Sequence, residues 1–233
     1  MKCLVYQLGQ IEYSECLQLQ RDLQQQRIDG TIPDVLLLLE HPPTLTLGKT
    51  GRMENILVPA SRLQQEGICL VSSDRGGDAT YHGPGQLVAY PILSLKNRGQ
   101  DVRQYVRNLE ETAIRTLKDF GISAGRDKAH PGVWIDREEI AAIGVSVKNW
   151  VTMHGLALNV APDMVHYAFI NPCGFTDRKA ASMADILGRE IPMETVVSTF
   201  IEHFSDVFET PVTFGSIPPG PYVRDRAKNN LMI

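Results

Sequence analysis

The spacing of apolar and polar residues divides this chain into helices and strands before any residue is read for chemistry. Over residues 14–28, Cys16, Leu19 and Leu23 fall on one face among glutamines and charges, which predicts an amphipathic helix. Val35 to Leu39 is unbroken apolar and, after Glu40, His41-Pro42-Pro43 ends it, the pattern of a buried strand stopped by proline. Residues 86–93 predict another strand. Over 102–120, Val102, Tyr105, Val106, Leu109, Ala113, Leu117 and Phe120 keep helical spacing; Asp101 with Gln104 resembles a capping box, and Gly121 is placed to stop the helix. Short runs at 132–136, 140–147 and 155–160, parted by polar turns, predict a strand meander. A further helix fits 193–208, with Val197, Phe200, Phe204 and Val207 on one side. From about residue 215, the Ile217-Pro218-Pro219-Gly220-Pro221 stretch predicts an extended surface tail. No linker and no repeat divides the interior. The expectation is one α/β (α+β) domain over residues 1–233, built on a mixed sheet.

Composition narrows the function classes. Hydrophobic content of 43% and charged content of 21% are those of an ordinary globular chain. A net charge of -4 argues against a general nucleic-acid binder. The longest apolar run is too short to cross a bilayer, and the polar, acidic N-terminal stretch does not read as a signal peptide. Cys3, Cys16, Cys69 and Cys173 are far apart, so neither a zinc ribbon nor a disulfide framework is indicated, and no metal or cofactor is expected. Scattered free thiols suit a reducing compartment, hence a cytoplasmic protein. Gly48-Lys49-Thr50 suggests a phosphate loop, but Pro43 stands where that motif needs its first glycine. The zinc-hydrolase, serine-hydrolase and dinucleotide signatures are missing from the sequence.

Three segments carry candidate chemistry. Arg75-Gly76-Gly77-Asp78-Ala79-Thr80-Tyr81-His82-Gly83-Pro84-Gly85-Gln86 combines glycines that permit close backbone approach with an arginine, hydroxyls and a histidine; it reads as a ligand loop or as a plain hairpin connection. Cys173, between Pro172 and Gly174, sits where a turn would expose sulfur to backbone N–H groups; it reads as a nucleophile or as a small buried side chain. Cys3, Cys16 and Cys69 read as core. The small residues of Ala142-Ile143-Gly144 and Gly155-Leu156-Ala157 suggest that something lies close against the backbone, an acyl chain or a packed element. His154 reads as a structural histidine.

Taken together, these segments resemble the lipoyl-pathway octanoyltransferases. The matching blocks run in order: Glu40-His41-Pro42-Pro43-Thr44-Leu45-Thr46-Leu47-Gly48, Arg75-Gly76-Gly77 through Gln86, Pro131-Gly132-Val133-Trp134, Ala142-Ile143-Gly144-Val145, His154 through Asn159, and Pro172-Cys173-Gly174. The resemblance implies the fold of biotin and lipoate protein ligases. It implies an octanoyl pocket lined by Arg75, Gly76, Gly77, Asp78, Ala79, Thr80, Tyr81, His82, Ala142, Ile143, Gly144, Gly155, Leu156 and Ala157, with Cys173 carrying the acyl group. It implies octanoyl-acyl carrier protein as donor. As acceptors it implies the lipoyl domains of 2-oxoacid dehydrogenases and the glycine cleavage H protein. Neither nucleic acid nor membrane takes part, and the chain is taken as a monomer. The chain departs from the family at Glu139, where a lysine normally keeps the cysteine ionised; a carboxylate there acts in the opposite sense. Lys148 is the first candidate to replace it, with protonated His82 or His154 as others. Competing expectations are an ATP-dependent lipoate ligase and a catalytically weak acyl-binding relative.

Overall fold

The structure, a computed structural model, describes residues 2–128, 130–171 and 179–215. The chain opens with β1 (Cys3–Gln10), α1 (Tyr13–Ile28), β2 (Asp34–Glu40) and β3 (Thr44–Leu47). Then come α2 (Ala60–Gln65), β4 (Cys69–Ser72), β5 (Ala79–His82), β6 (Gln86–Ile92) and α3 (Val102–Asp119). The meander follows as β7 (Gly132–Ile135), β8 (Glu138–Lys148) and β9 (Val151–Asn159). Last are β10 (Lys179–Ala180), α4 (Met183–Leu187), α5 (Met193–Val207) and β11 (Val212–Phe214). Among the described residues, the large mixed sheet has the order β10-β8-β9-β6-β2-β1-β11, with β7 also paired to β8. A second, small sheet has the order β4-β3-β5.

The apolar run in β2 is explained by burial on both faces. Leu36 and Leu38 join a core with Leu109, Ala113 and Leu117 of α3 and Phe200 and Phe204 of α5. Val35, Leu37 and Leu39 alternate to the other face and meet Cys16, Leu19 and Leu23 of α1. Each such leucine, fully buried, contributes roughly 1.5–3 kcal/mol. The small sheet has its own core, in which Leu45, Ala79 and Tyr81 pack against Leu63 of α2 and Phe169. Helix α3 begins on the predicted Asp101 cap, whose carboxylate accepts from the backbone N–H groups of Arg103 and Gln104, while the Gln104 amide donates forward to Asn108.

Two expectations change. Residues 79–82, read as part of a loop, are strand β5, because pairing with β3 supplies their backbone partners. Cys69 is exposed rather than core, since β4 lies at the edge of the small sheet. The predicted tail lies beyond Gly215, outside the described residues, as does Cys173.

Candidate active site

Two adjacent strands form the floor of a groove. The antiparallel register of β8 and β9 sets Ala142 opposite Ala157, Ile143 opposite Leu156 and Gly144 opposite Gly155. Ile143 and Leu156 pack into the core under α3 and α5. Alternation turns Ala142 and Ala157 to the opposite face, where their methyl groups leave space. Strand β5 and the loop before it cover this face. The groove so formed holds a cavity of about 50 Å³ that opens to solvent. It is lined by Arg75, Gly77, Asp78, Ala79, Thr80, His82, Tyr90, Pro131, Glu139, Ala142, Ile143, Gly144, His154, Gly155, Leu156 and Ala157.

The glycines hold this groove together rather than widen it. Gly76 N–H donates to the Val145 carbonyl at 2.9 Å, so the loop rests directly on β8. At Gly155, a Cβ would stand 2.2 Å from the Ala89 carbonyl oxygen of β6. Of the two expectations for these small residues, a packed protein element is what the glycines meet; the alanines are left to face the groove.

Arg75 clamps the cover to the small sheet. Its guanidinium donates to the Thr46 hydroxyl at 2.9 and 3.1 Å, the Thr46 carbonyl at 2.7 Å and the Asp78 carbonyl at 2.6 Å. Asp78 in turn accepts from Arg52 N–H and the Asn55 amide. The arginine read from sequence as a ligand donor thus spends much of its fork on two segments of backbone.

Three histidines line or back the groove, and burial keeps each neutral. His41 donates from Nδ1 to the Ile11 carbonyl and accepts at Nε2 from the Tyr90 hydroxyl; burial lowers its pKa to about 4. His154 bonds through Nε2 to the Asp74 carboxylate at 2.8 Å. Burial lowers its pKa although Asp74 pulls the other way. His82 bonds through Nδ1 to Gln86 Oε1 at 2.8 Å, stacks on Tyr13, and is held well below its ordinary pKa by burial and by His41.

Glu139 reaches the groove through a bulge. Val133 pairs with Ala141, but Trp134 pairs with Glu139, so Ile140 is the extra residue. Ile140 and Ala141 both point into the α3–α5 core. The added residue reverses the alternation and brings Glu139 to the same face as Ala142.

Residues 12–205 match the lipoyl protein ligase A/B catalytic domain family. The octanoyltransferase of Desulforamulus reducens is 47% identical over 210 residues, covering 90% of this chain and 92% of that protein. This chain belongs to the octanoyltransferase family. A second relative, the octanoyltransferase of Chloroflexus aggregans, is 48% identical over 208 residues, covering 88% of this chain and 94% of its own. Solved structures share the fold. A bipartite lipoate protein ligase from Thermoplasma acidophilum superposes with a TM-score of 0.74 at 16% identity, over 95% of this chain and 89% of that one. A biotin protein ligase from Aquifex aeolicus gives 0.51 at 12% identity, over 90% and 69%.

Most residues that the octanoyltransferase resemblance assigns to the pocket do meet at the groove, with two differences. Tyr81 turns away into the small-sheet core, where its hydroxyl bonds His166 Nδ1 at 2.9 Å. Gly76 lines an adjoining cavity with Arg52 and Val145. Lys148, offered as the substitute cation, ends β8 on the exposed surface with its Nζ 3.5 Å from Gln25 Oε1, and it is not among the groove residues. Strand length explains this: Lys148 stands nine residues beyond Glu139, about 30 Å along an extended strand. Burial also disfavours the charged forms of His82 and His154, the other two candidate cations. Asp74 and Tyr90 were missed altogether. Asp74 precedes the Arg75 motif directly, yet nothing local signals its bond to His154, eighty residues away.

Cys173 lies outside the described residues. Its described neighbours on both sides are tied to the groove's surroundings. Asn171 N–H donates to the Asn55 carbonyl, and Ala180 of β10 pairs with Glu139.

Proposed function

We propose that this acyltransferase moves octanoate from the thioester of an acyl carrier protein to a lysine of a lipoyl domain. The acyl group pauses as a thioester on Cys173, and the work is done in the cytoplasm without a cofactor. The observation that carries this reading is the Ala142–Ala157 strip roofed by the Arg75–His82 segment, in a chain 47% identical to an octanoyltransferase over 90% of its length. Such a strip offers an apolar bed for a short hydrocarbon chain. Thioester exchange onto Cys173 conserves bond type, so it needs no ATP, and attack by an amine then forms the more stable amide. Covalent catalysis separates donor from acceptor and predicts ping-pong kinetics. Sequence relatives that are octanoyltransferases outweigh the ligase reading, because the ligase neighbours, at 16% and 12% identity, share only the fold.

Intact-mass spectrometry after mixing the protein with octanoyl carrier protein, without ATP, tests this. An octanoyl adduct is expected in the wild type and none in Cys173→Ser. Transfer that proceeds equally well in Cys173→Ser refutes the covalent route.

A further inference from the structure

The groove has a mouth and a closed end, and the two lie on different strands. Its lining residues on β8, Glu139, Ala142, Ile143 and Gly144, are only half-buried, whereas those on β9, from His154 to Ala157, are buried. Beside β9 stands β6, where Val88 pairs with Ala157. Tyr90, two residues on, therefore rises from the same face of the sheet as Ala157, and both belong to the cluster packed under α1. Among the described residues, Tyr90 is the one groove-lining residue that β6 supplies. The floor thus passes from methyl groups on two strands to a phenol ring on the third.

That ring is braced from behind. Its hydroxyl donates to His41 Nε2 at 3.0 Å, and His41 Nδ1 donates in turn to the Ile11 carbonyl at 2.7 Å. The rings of His41 and His154 lie 5.9 and 6.0 Å from it, centroid to centroid. On its far side Leu37 of β2 pairs with it, and Cys16, Leu19 and Leu23 of α1 cover the layer. Moving the ring would strip a buried imidazole of its partner, so it stands as a fixed wall.

The distance from mouth to wall follows from the sheet. Neighbouring strands lie about 4.8 Å apart, so the path from β8 across β9 to β6 measures about 10 Å. A zigzag of about 1.5 Å C–C bonds advances about 1.25 Å per bond, so eight carbons span about 9 Å. Ten carbons would need about 11 Å, and twelve about 14 Å, on the same basis.

Resting on the acyl-transfer reading above, we propose that Tyr90 is the stop that limits the acyl chain to about eight carbons. The saturated chain lies across β8 and β9 over Ala142 and Ala157, its thioester end at the mouth and its terminal methyl against the Tyr90 ring. Longer chains are refused because the wall cannot retreat. Shorter chains leave the space before it unfilled, and each missing methylene weakens binding about fourfold.

A competition read as a ratio tests this. Equal amounts of octanoyl, decanoyl and dodecanoyl carrier protein are mixed with wild-type protein, Tyr90→Ala, Tyr90→Leu or Tyr90→Phe, and intact mass gives the share of each adduct. A ratio within one sample is unaffected by the fraction of protein that is folded. Wild-type loading is the control for the underlying reading; with no adduct of any length that reading fails, and the stop falls with it. Given loading, the wild type is expected to favour octanoyl over dodecanoyl by about 10²-fold. Tyr90→Ala and Tyr90→Leu should shift the ratio towards dodecanoyl by about tenfold or more. Tyr90→Phe keeps the ring and should keep the preference, whatever happens to its rate. A wild type that loads all three chains alike, or an unchanged ratio in both Tyr90→Ala and Tyr90→Leu, overturns the proposal. So does an equal shift in Tyr90→Phe, which would trace the effect to loosening rather than to the ring.

Discussion

The carbonyl oxygen of Gly76 lies only 2.8 Å from where a Cβ on Gly144 would stand. The roof of the groove therefore sits on the floor at this point, and the space a side chain would occupy is already filled by backbone.

Gly144→Ala should push the Arg75–Gly77 loop off β8. Because the obstructing atom is backbone, and Gly76 N–H is itself bonded to the Val145 carbonyl, little can give way. A destabilisation of about 1–3 kcal/mol is expected, together with a marked loss of acyl transfer. Denaturant unfolding measures the first, and wild-type stability in the variant would show that the loop is not pinned there.

Arg75→Lys tests the clamp. A single ammonium cannot reproduce the fork that spans Thr46 and Asp78. Loss of about 1–3 kcal/mol follows from buried acceptors left unsatisfied. The octanoyl adduct on Cys173 should still form, but more slowly. If Arg75→Lys leaves stability intact while abolishing substrate binding, the residue contacts ligand rather than framework.

Acid should weaken the fold before its carboxylates titrate. His41 falls to about 4 in the folded chain from an ordinary value of 6.5. The unfolded chain thus binds more protons between these limits. The stabilisation from keeping His41 neutral is complete above pH 6.5 and drains away as pH falls towards 4. By pH 5 the loss from this one ring is about 2 kcal/mol, and His82 and His154 shift in the same direction. Asp74 is depressed, first by its bond to His154, so its contribution persists until the pH drops below the ordinary carboxylate value. Urea unfolding at pH 7 and pH 5 measures the slope. An equal stability at both values would contradict the burial of neutral imidazoles.

Glu139 and Lys148 give opposite expectations. Glu139→Lys places a cation in the groove beside β10 and should speed loading of Cys173 by favouring its thiolate. Lys148→Ala, at the exposed end of β8, should leave loading within twofold, an estimate that follows from screening at its distance from the groove. Stopped-assay adduct formation against pH reads both. A slower Glu139→Lys protein would mean that the carboxylate is itself used.

The parts of this protein that local sequence describes are those governed by local rules. The α3 helix follows from its apolar spacing and the Asp101 cap, and the residues at 142–144 and 155–157 announce a crowded backbone by being small. Ala79–His82 read as loop, and only pairing with β3 shows that they form a strand in which Tyr81 turns from the groove. Cys69 misled because an apolar strand looks alike at the edge of a sheet and at its centre.

By itself, then, the chain's order of residues determined the longer helices and the central strands, the family and most of the segments that meet at the groove, because periodicity, caps and motifs act over a few residues. Tertiary structure alone decided which atoms touch. A single extra residue at Ile140 turns Glu139 to the groove, Asp74 finds His154 across eighty residues, and Gln86 sets the tautomer of His82 through partners from β9 and beyond. Such contacts depend on register and on the meeting of distant strands, and a shift of one residue would reverse every face involved.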